Sequence, residues 1–389
     1  MTSIAEQLRL DMKQPLRLKV DLWLLGTATA LLTIGFIMIA SSSMQVADSW
    51  NDNPFYFVLR HGLYLVIALI AAFVVFNMPI SWWERNGWLL LALSLLALIV
   101  VLVPGIGRTV NGSTRWIGAG PFNIQPSEVA KVLLVAYVAG YLVRRLDEVR
   151  SSWWGFVKPI GVVMVASFLL LMEPDFGAVV VTLAAVVGVI FLSGVRVRHF
   201  LVLIFACLAS VALLAVSQPY RLKRLTAYTD PWADQFNTGY QLTQALIAFG
   251  RGEWTGVGLG NSIQKLFYLP EAHTDFLFAI IGEEFGLLGT LTVIGLFAVF
   301  VARALLVARR AELQGKLFGA YFAYGLALLV GCQTVINLGV NTGLLPTKGL
   351  TLPFISYGGS SLIMSCVILA LLLRIDLETN LAQEQEARS

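Results

Sequence analysis

Residues 276–305 read FLFAIIGEEFGLLGTLTVIGLFAVFVARAL, a run in which only three side chains are charged. A helix needs about 20 predominantly apolar residues to cross a hydrocarbon layer roughly 30 Å thick, so this run predicts a membrane-spanning helix. Nine more apolar stretches bring the predicted number of spans to ten. They cover residues 22–40, 63–78, 88–103, 129–143, 160–172, 176–193, 200–216, 317–340 and 360–373. The sequence therefore predicts an all-α, polytopic membrane protein in which residues 1–389 form a single membrane domain.

The composition supports this fold class. Of the 389 residues, 58% are hydrophobic and 13% are charged, and the mean hydropathy is +0.78. Soluble domains carry roughly 25% charged residues, so this composition excludes a soluble, disordered, coiled-coil or disulfide-rich secreted protein, and it excludes a nucleic-acid binder. Cys207, Cys332 and Cys366 lie far apart in apolar runs, which favours neither a disulfide nor a metal site.

Lysine and arginine are concentrated in the connecting segments that lie on the same side as the N-terminus. Such an excess marks the cytoplasmic side of a membrane, so both termini are predicted to be cytoplasmic. The outer side then holds one large loop, residues 218–274. Its run from Tyr240 to Phe249 has helical spacing with a narrow polar face, which indicates a helix at the membrane surface, either a packing belt or a platform above a lipid-linked substrate. The polar tail, residues 378–389, is predicted to be disordered.

Ionisable side chains inside spanning helices are costly and mark either function or structural pairs. Glu128 and Lys131 are three residues apart and therefore share one helix face, where we predict that they pair. Such a pair can line a polar cavity, or it can simply make burial tolerable. Glu283 lies about 12 Å along its helix from Asp275 and is placed to share a cavity with it. Glu284 points the other way, and we predict that it hydrogen-bonds to a neighbouring helix.

Asp275 follows Glu-Ala-His-Thr and opens the long apolar helix. Two interpretations remain at this stage. An aspartate in this position can act as the N-cap of the helix. Alternatively, a carboxylate at the membrane boundary can take a proton from a substrate hydroxyl group.

Two outer segments, residues 105–117 and 337–361, are rich in glycine. Irregular backbone at membrane depth persists only where it is buried in protein or lines a cavity. With Arg108, Arg115 and Lys348, these segments could cradle an anionic headgroup such as a pyrophosphate; the alternative is a turn followed by a helix N-terminus. The run GVGLG at 256–260 follows no predicted strand and is rejected as a nucleotide loop. The three histidines lack the spacing of metal ligands.

Four motifs together resemble the shape, elongation, division and sporulation (SEDS) family. They are QPSE at 125–128 with Lys131, EPDFG at 173–177, GLGNSIQKLFYLPEAHTDFLFAIIGEEFGLLG at 258–289, and LPTKGLTLPFISYGGSS at 345–361. The resemblance covers all ten predicted spans, and the last two motifs are long enough to be highly specific. The stretch NTGLLPTKGLTLP at 341–353 is more similar to division-type than to elongation-type members.

The resemblance implies a peptidoglycan glycosyltransferase that polymerises lipid II on the outer face of the cytoplasmic membrane, at the division septum. Asp275 matches the family's catalytic aspartate and is expected to act as a general base. Cations near the leaving pyrophosphate would stabilise the transition state. A divalent cation, Mg²⁺ or Mn²⁺, is implied without identified ligands. The candidate substrate-binding residues are Arg108, Arg115, Glu128, Lys131, His273, Glu283, Lys348, Ser356, Tyr357, Gly358, Gly359 and Ser360.

The resemblance also implies partners: a class B penicillin-binding protein, which is the division transpeptidase, and other membrane proteins of the division machinery. Two rival functions remain. Ten spans with polar pairs and broken loops also suit a lipid II flippase, and a noncatalytic scaffold at the division site is the third interpretation. An elongation-type polymerase is the alternative within the family.

Overall fold

The computed structural model describes residues 20–110, 113–119, 122–216, 230–237, 239–346 and 349–388. The helices in these residues are α1 (Leu22–Asn51), α2 (Tyr56–Asn77), α3 (Ile80–Arg85), α4 (Gly87–Leu102), α5 (Pro126–Arg144), α6 (Leu146–Ser151), α7 (Trp153–Met172), α8 (Phe176–Leu192), α9 (Val197–Val216), α10 (Tyr240–Gly252), α11 (Leu277–Leu313), α12 (Leu317–Asn341) and α13 (Gly359–Arg388). The strands are β1 (Gly107–Val110), β2 (Ser113–Ala119) and β3 (Phe122–Ile124).

Each of the ten predicted apolar stretches coincides with a helix. Seven helices of the described chain are long and apolar enough to cross a membrane, namely α1, α2, α5, α7, α11, α12 and α13. Helices α4 and α8 are apolar but shorter, and α9 occupies the position of the seventh predicted span. The prediction of a polytopic helical membrane protein is therefore confirmed.

Helices α5, α12 and α13 form the centre of the bundle. In their most apolar windows, 78%, 67% and 78% of the residues are buried, against 17% in α2. Small residues permit the close approach of these helices, because a Cβ atom on Gly325 of α12 would meet Val135 of α5 and Val189 of α8. Van der Waals packing, which small residues at the interface permit, is one of the forces that associate helices in membranes. The polar side chains on α5 and α12 are therefore held in a rigid environment.

Helix α11 is broken near its beginning. Its 37 residues would extend about 55 Å at 1.5 Å per residue, which exceeds the roughly 30 Å of a hydrocarbon core. At Gly286 the backbone has φ 64° and ψ −158°, a conformation open to glycine alone. The N–H groups of Val257 and Gly258 donate to the carbonyl oxygens of Glu283 and Glu284, both at 3.0 Å. The first nine residues of α11 are thus a half-helix attached to the segment that precedes it.

One local feature was not predicted: a small sheet begins in the first glycine-rich segment. The strands are antiparallel in the order β1-β2-β3, with Arg108 opposite Trp116 and Ile117 opposite Ile124. Threonine, tryptophan and isoleucine favour extended backbone, but glycines and the shortness of the strands obscure their alternation in the sequence. The sheet leads directly into α5, which begins with Pro126 in its first turn.

Two predictions concern the large loop and the tail. The helix predicted in the loop is present as α10, which buries one face against α11. Residues 218–229 and Thr238 of the loop lie outside the described residues. Disorder is predicted from Glu378, whereas α13 continues to Arg388. The Glu378 side chain anchors this helix, since its Oε1 accepts hydrogen bonds from the Ile80 N–H (3.0 Å) and from Arg374 Nε (2.7 Å).

Candidate functional site

Three amide side chains on one face of α12 hold the chain around Asp275. Gln333, Asn337 and Asn341 are spaced four residues apart and therefore lie along one stripe of the helix. Gln333 Nε2 donates to the carbonyl oxygen of Thr351 (3.0 Å), and Asn337 Nδ2 donates to that of Leu350 (2.6 Å). The carbonyl oxygen of Asp275 accepts from Asn337 (3.0 Å) and from Asn341 (2.9 Å). These bonds fix Asp275 and the loop after α12 relative to one another.

Asp275 is not the N-cap of α11. The N-cap position is occupied by Phe276, without a capping hydrogen bond from a side chain. Instead, Asn341 Oδ1 accepts a hydrogen bond from the backbone N–H of Ala279 (3.2 Å). In the described part of the chain the Asp275 carboxylate receives no hydrogen bond, so it remains available to a substrate. The N-cap alternative is therefore wrong for this side chain.

The environment of Asp275 favours its protonated form. Burial, together with the nearby carboxyl group of Glu271, raises the pKa of Asp275 to about 7. The positive charge of Arg115 opposes this shift, whereas Asp175 adds to it. A carboxyl group with a pKa near neutrality is suited to general base catalysis, because it can both accept and release a proton at physiological pH.

Arg115, in the middle of β2, joins the small sheet to the turn between α7 and α8. Its Nη2 donates to the carbonyl oxygen of Pro174 (2.6 Å), and its Nη1 lies 4.0 Å from Asp175 Oδ1. The other carboxylate oxygen of Asp175 accepts from Gln125 Nε2 (3.2 Å) and from Ser127 Oγ (3.0 Å). The QPSE and EPDFG motifs therefore meet, and they hold one arginine whose charge acts on Asp275.

Glu173 is fully buried at the same turn. Neither of its carboxylate oxygens has a hydrogen-bond partner among the described residues. Burial raises the pKa of Glu173 to about 8, with a further contribution from Asp175. This group therefore carries a proton at neutral pH.

Glu128 and Lys131 form the predicted pair. Lys131 Nζ donates to Glu128 Oε1 (2.9 Å) and to Gln333 Oε1 (2.8 Å), and both charged side chains are buried. The pair lines a small cavity between α5, α12 and α13, and Pro353 is also part of the lining. Since Gln333 also binds Thr351, the ion pair is connected to the loop that meets Asp275.

The SYGGS segment is fixed at almost every residue. Ser356 Oγ accepts from the Leu352 N–H (2.9 Å), and Ser360 Oγ accepts from the Gln125 N–H (2.8 Å). Tyr357 donates its backbone N–H to the carbonyl oxygen of His273 (3.0 Å), and their rings lie 5.7 Å apart. Gly358 and Gly359 follow, and a Cβ atom at Gly359 would collide with a tyrosine ring of α2. This segment therefore connects α2, α5 and the chain next to Asp275.

Arg108 and Glu283, two other predicted site residues, bind different partners. Arg108 is exposed on β1 and donates to Asn123 Oδ1 (3.3 Å). Lys348 lies outside the described residues. Glu283 is buried, and its carboxylate accepts bonds from Arg251, from Ser262 and from the N–H groups of residues 263 and 264. Glu283 thus holds the segment before the half-helix, and its own oxygens are occupied.

Glu284 behaves as predicted. It accepts hydrogen bonds from Ser41 Oγ of α1 (2.7 Å) and from Lys265 Nζ (2.8 Å). Five residues of this group were not among the predicted substrate-binding residues: Gln125, Asp175, Gln333, Asn337 and Asn341. The spacing of the three amides on an otherwise apolar helix was a usable signal, because buried amides must find partners.

The described residues do not fit a metal cage built by the protein. They contain no group of three or more histidine, cysteine, aspartate or glutamate side chains that could hold an ion. The oxygens of Asp175 are already engaged by Arg115, Gln125 and Ser127. The divalent cation implied by the family resemblance therefore stays a prediction.

A model of the cell cycle protein family that includes FtsW, RodA and SpoVE matches residues 22–381. The chain belongs to this family. A probable peptidoglycan glycosyltransferase FtsW of Hahella chejuensis is 64% identical over 370 residues, which are 95% of this chain and 93% of that protein. A protein of the same name from Nitrosococcus halophilus is 57% identical over 359 residues, 92% of each chain. The predicted SEDS resemblance and its closer similarity to the division type are confirmed.

Solved structures of this family show the same fold. The RodA protein of Thermus thermophilus matches with a TM-score of 0.68 at 28% identity and covers 93% of this chain and 98% of its own. A chain from the work "Structural coordination of polymerization and crosslinking by a peptidoglycan synthase complex" matches with a TM-score of 0.76 at 30% identity, over 92% of this chain and 98% of its own.

Proposed function

We propose that this FtsW, RodA and SpoVE family member is a peptidoglycan glycosyltransferase that polymerises lipid II into glycan strands, at the division septum. The observation that carries the proposal is the carboxylate of Asp275: its backbone is fixed by Asn337 and Asn341, and its side chain receives no hydrogen bond from the residues that the structure describes. The names of the Hahella and Nitrosococcus relatives support the activity and the division role.

In the proposed reaction, Asp275 takes the proton from the 4-hydroxyl group of the acceptor GlcNAc as that oxygen attacks the anomeric carbon of the donor MurNAc. The bond between this carbon and the donor diphosphate breaks with inversion, and undecaprenyl pyrophosphate leaves with the electron pair. A single displacement converts an α-linked diphosphate into a β-1,4 glycosidic bond, as expected of an inverting mechanism.

Negative charge develops on the departing diphosphate, and a cation that meets it stabilises the transition state more than the ground state. Arg115 is the best-placed cation of the described residues, because its charge already acts on Asp275. Arg108, on the neighbouring strand, and Lys348, next to Gly349 in sequence, are further candidates. The Gly349 backbone lies against the carboxylate, where a Cβ atom would come within 2.9 Å of Asp275 Oδ2.

In this scheme Glu128 and Lys131 act indirectly, through the loop that follows α12. Their ion pair holds Gln333, and Gln333 holds the carbonyl oxygen of Thr351. Asn337 donates to the carbonyl oxygens of Leu350 and Asp275. The polar network in the bundle centre therefore orients the base and the SYGGS segment, and it does not itself transfer the proton.

The active site would lie at the outer, periplasmic face of the cytoplasmic membrane, with both termini in the cytoplasm. The distribution of basic residues supports this orientation. A class B penicillin-binding protein is the proposed main partner, together with other membrane proteins of the division machinery. The similarity to a chain from a peptidoglycan synthase complex supports such an assembly.

Glycan-strand formation from labelled lipid II, by the purified chain in liposomes with its transpeptidase partner, tests this function. We expect strands that a muramidase digests to disaccharide units. A transport assay with lipid II on one leaflet provides the second readout. Flipping without strand formation would establish the flippase instead, and the lack of both activities would favour the scaffold.

A further inference from the structure

Glu173 lies in the turn between α7 and α8, and the proposed reaction does not use its carboxyl group. The side chain is completely buried, and neither of its carboxylate oxygens has a hydrogen-bond partner among the described residues. Burying an ionised carboxylate without partners is far more costly than burying a neutral carboxyl group. This environment therefore favours a protonated Glu173, in agreement with the rise of its pKa to about 8 on burial.

Arg115 contacts three consecutive residues of this turn. Its Nε donates to the carbonyl oxygen of Glu173 (3.4 Å), its Nη2 donates to that of Pro174 (2.6 Å), and its Nη1 lies 4.0 Å from Asp175 Oδ1. Two carboxyl groups therefore belong to residues that contact a single guanidinium group. Among the titratable and charged groups of the described chain, Asp175 and Arg115 are the ones that shift the pKa of Glu173, and they act in opposite directions.

The two carboxyl groups differ in the number of their hydrogen-bond donors. Asp175 has three donors besides Arg115, namely the Ala178 N–H (3.2 Å), Gln125 Nε2 (3.2 Å) and Ser127 Oγ (3.0 Å). Donors to a carboxylate stabilise its charged form, so Asp175 holds the negative charge that balances Arg115. An ionised Glu173 would add a second negative charge. That charge would partly neutralise Arg115, whose positive charge also acts on Asp275.

The proposed reaction needs Arg115 at full charge, because this cation is expected to stabilise the departing diphosphate. Building on that proposed function, we propose that Glu173 is a positioning residue that must stay neutral: its proton leaves the charge of Arg115 available to the diphosphate, and loss of this proton at high pH slows strand formation. Glu173 does not touch the substrate. It acts through Arg115 and sets the upper pH limit of the reaction, whereas Asp275 sets the lower limit.

The test is the pH dependence of kcat/KM for strand formation from labelled lipid II. In wild type, the plateau above the Asp275 midpoint should be short, and kcat/KM should then fall about tenfold for each pH unit beyond about 8, the slope for the loss of one proton. Glu173→Gln keeps the size of the neutral side chain and cannot ionise, so it should lose this alkaline decline and keep the acid one. Glu173→Asp should retain an alkaline decline, because it still carries a carboxyl group.

The control is Glu148→Gln, which removes a carboxyl group of α6 that pairs with Lys158 of α7. We expect this variant to show both the acid and the alkaline decline of wild type. If Glu173→Gln does not fold, Glu173→Met replaces it, since methionine is also neutral and of similar size.

Product inhibition tests whether Glu173 acts through Arg115. Inhibition by undecaprenyl pyrophosphate should weaken severalfold between about pH 7.5 and about pH 9 in wild type, because an ionised Glu173 reduces the attraction of Arg115 for phosphate. In Glu173→Gln the inhibition should stay constant over this range.

Thermal unfolding in detergent tests the neutral state of Glu173 without an enzymatic assay. Its pKa is higher in the folded chain than the ordinary value of 4.5, so the unfolded chain releases this proton at lower pH. Wild type should therefore lose stability as the pH rises from about 4.5 to about 8, and Glu173→Gln should not lose this contribution. The difference between their unfolding midpoints should shift in favour of Glu173→Gln across this range and level off above it.

Three results would overturn the proposal: an alkaline decline that is unchanged in Glu173→Gln, a wild type without such a decline, or unfolding midpoints that differ by the same amount at every pH. A wild type that forms no strands would contradict the proposed function itself, whereas the unfolding midpoints report on the protonation of Glu173 alone.

Discussion

At the scale of single residues, the chemistry of Asp275 depends on side chains that are far away in the sequence. Residue type and position select Asp275 as a candidate base, but an N-cap uses the same residue type at the same place. The structure rules out the N-cap role, because Asn341 accepts the hydrogen bond from the Ala279 N–H and no capping bond involves the Asp275 side chain. Asn341 lies 66 residues after Asp275, which is why the sequence could not reveal this.

The raised pKa of Asp275 predicts a pH dependence. A general base works only when deprotonated, so kcat/KM should fall as the pH drops through about 7 and reach a plateau above it. The carboxyl group of Glu271 contributes to the upward shift, so Glu271→Gln should move the midpoint to lower pH and keep the plateau. Initial rates of strand formation on both sides of pH 7 provide the measurement. A midpoint that does not move in the variant would contradict this origin of the pKa shift.

The ion pair between Lys131 and Glu128 makes a prediction about stability. Removing one partner leaves an unpaired buried charge, which costs about 3–5 kcal/mol, whereas neutralising both is often tolerated. Lys131→Met should therefore lower the thermal unfolding midpoint in detergent clearly, and Lys131→Met combined with Glu128→Gln should restore most of it. If the double variant is as unstable as the single one, the pair does not account for the stability of this region.

At the scale of elements, the break in α11 divides one predicted span into a half-helix and a long helix. The hydrophobic run from residue 276 onward correctly predicted a helix. The hydrophobic run could not show the break, because glycine is common in membrane helices. Only the folded chain shows that residues 252–256 pack against Gly286. The strands β1 to β3 were missed because each is short and contains little alternation of polar and apolar residues.

Gly286→Ala should lower both stability and activity, although Gly286 lies away from Asp275. A Cβ atom at this position would lie 2.5 to 2.7 Å from backbone atoms of residues 252–256, and the positive φ adds strain of about 1–3 kcal/mol. We expect a lower unfolding midpoint and at least a tenfold loss of kcat, because the half-helix follows directly after Asp275. Gly295→Ala is the matched control, since nothing lies within 4 Å of its Cβ position. Equal behaviour of the two variants would show that the break does not position the base.

At the scale of the whole molecule, hydropathy alone was enough to predict the ten helices and the membrane environment. The thickness of the bilayer sets the length of the apolar run that a spanning helix needs, so such helices can be recognised in the sequence. The site is different: it is assembled from α2, α5, α11, α12 and the small sheet, and packing decides which of their polar residues meet. Arg115 was selected for its charge, but only the folded chain shows that it meets Pro174 and Asp175.

The proposed orientation in the membrane can be tested with single cysteines in a variant whose three native cysteines are replaced by serine. Ile106→Cys, just before β1, and Arg145→Cys, just after α5, are both at exposed positions. In spheroplasts, a membrane-impermeant maleimide should label Ile106→Cys and not Arg145→Cys. Both should react after solubilisation in detergent. The reverse pattern would place Asp275 on the cytoplasmic face and contradict synthesis on the outer side.

The most direct measurement is glycan-strand formation from labelled lipid II by wild type, Asp275→Asn and Glu271→Gln, each purified with the transpeptidase partner and matched for unfolding midpoint. Asp275→Asn keeps the shape of the side chain but removes the proton acceptor, and the loss of a general base typically slows a reaction by 10²–10⁴-fold. We predict strands from wild type and Glu271→Gln and none, or only traces, from Asp275→Asn. A folded Asp275→Asn protein that makes strands at the wild-type rate would contradict the assignment of Asp275 as the base.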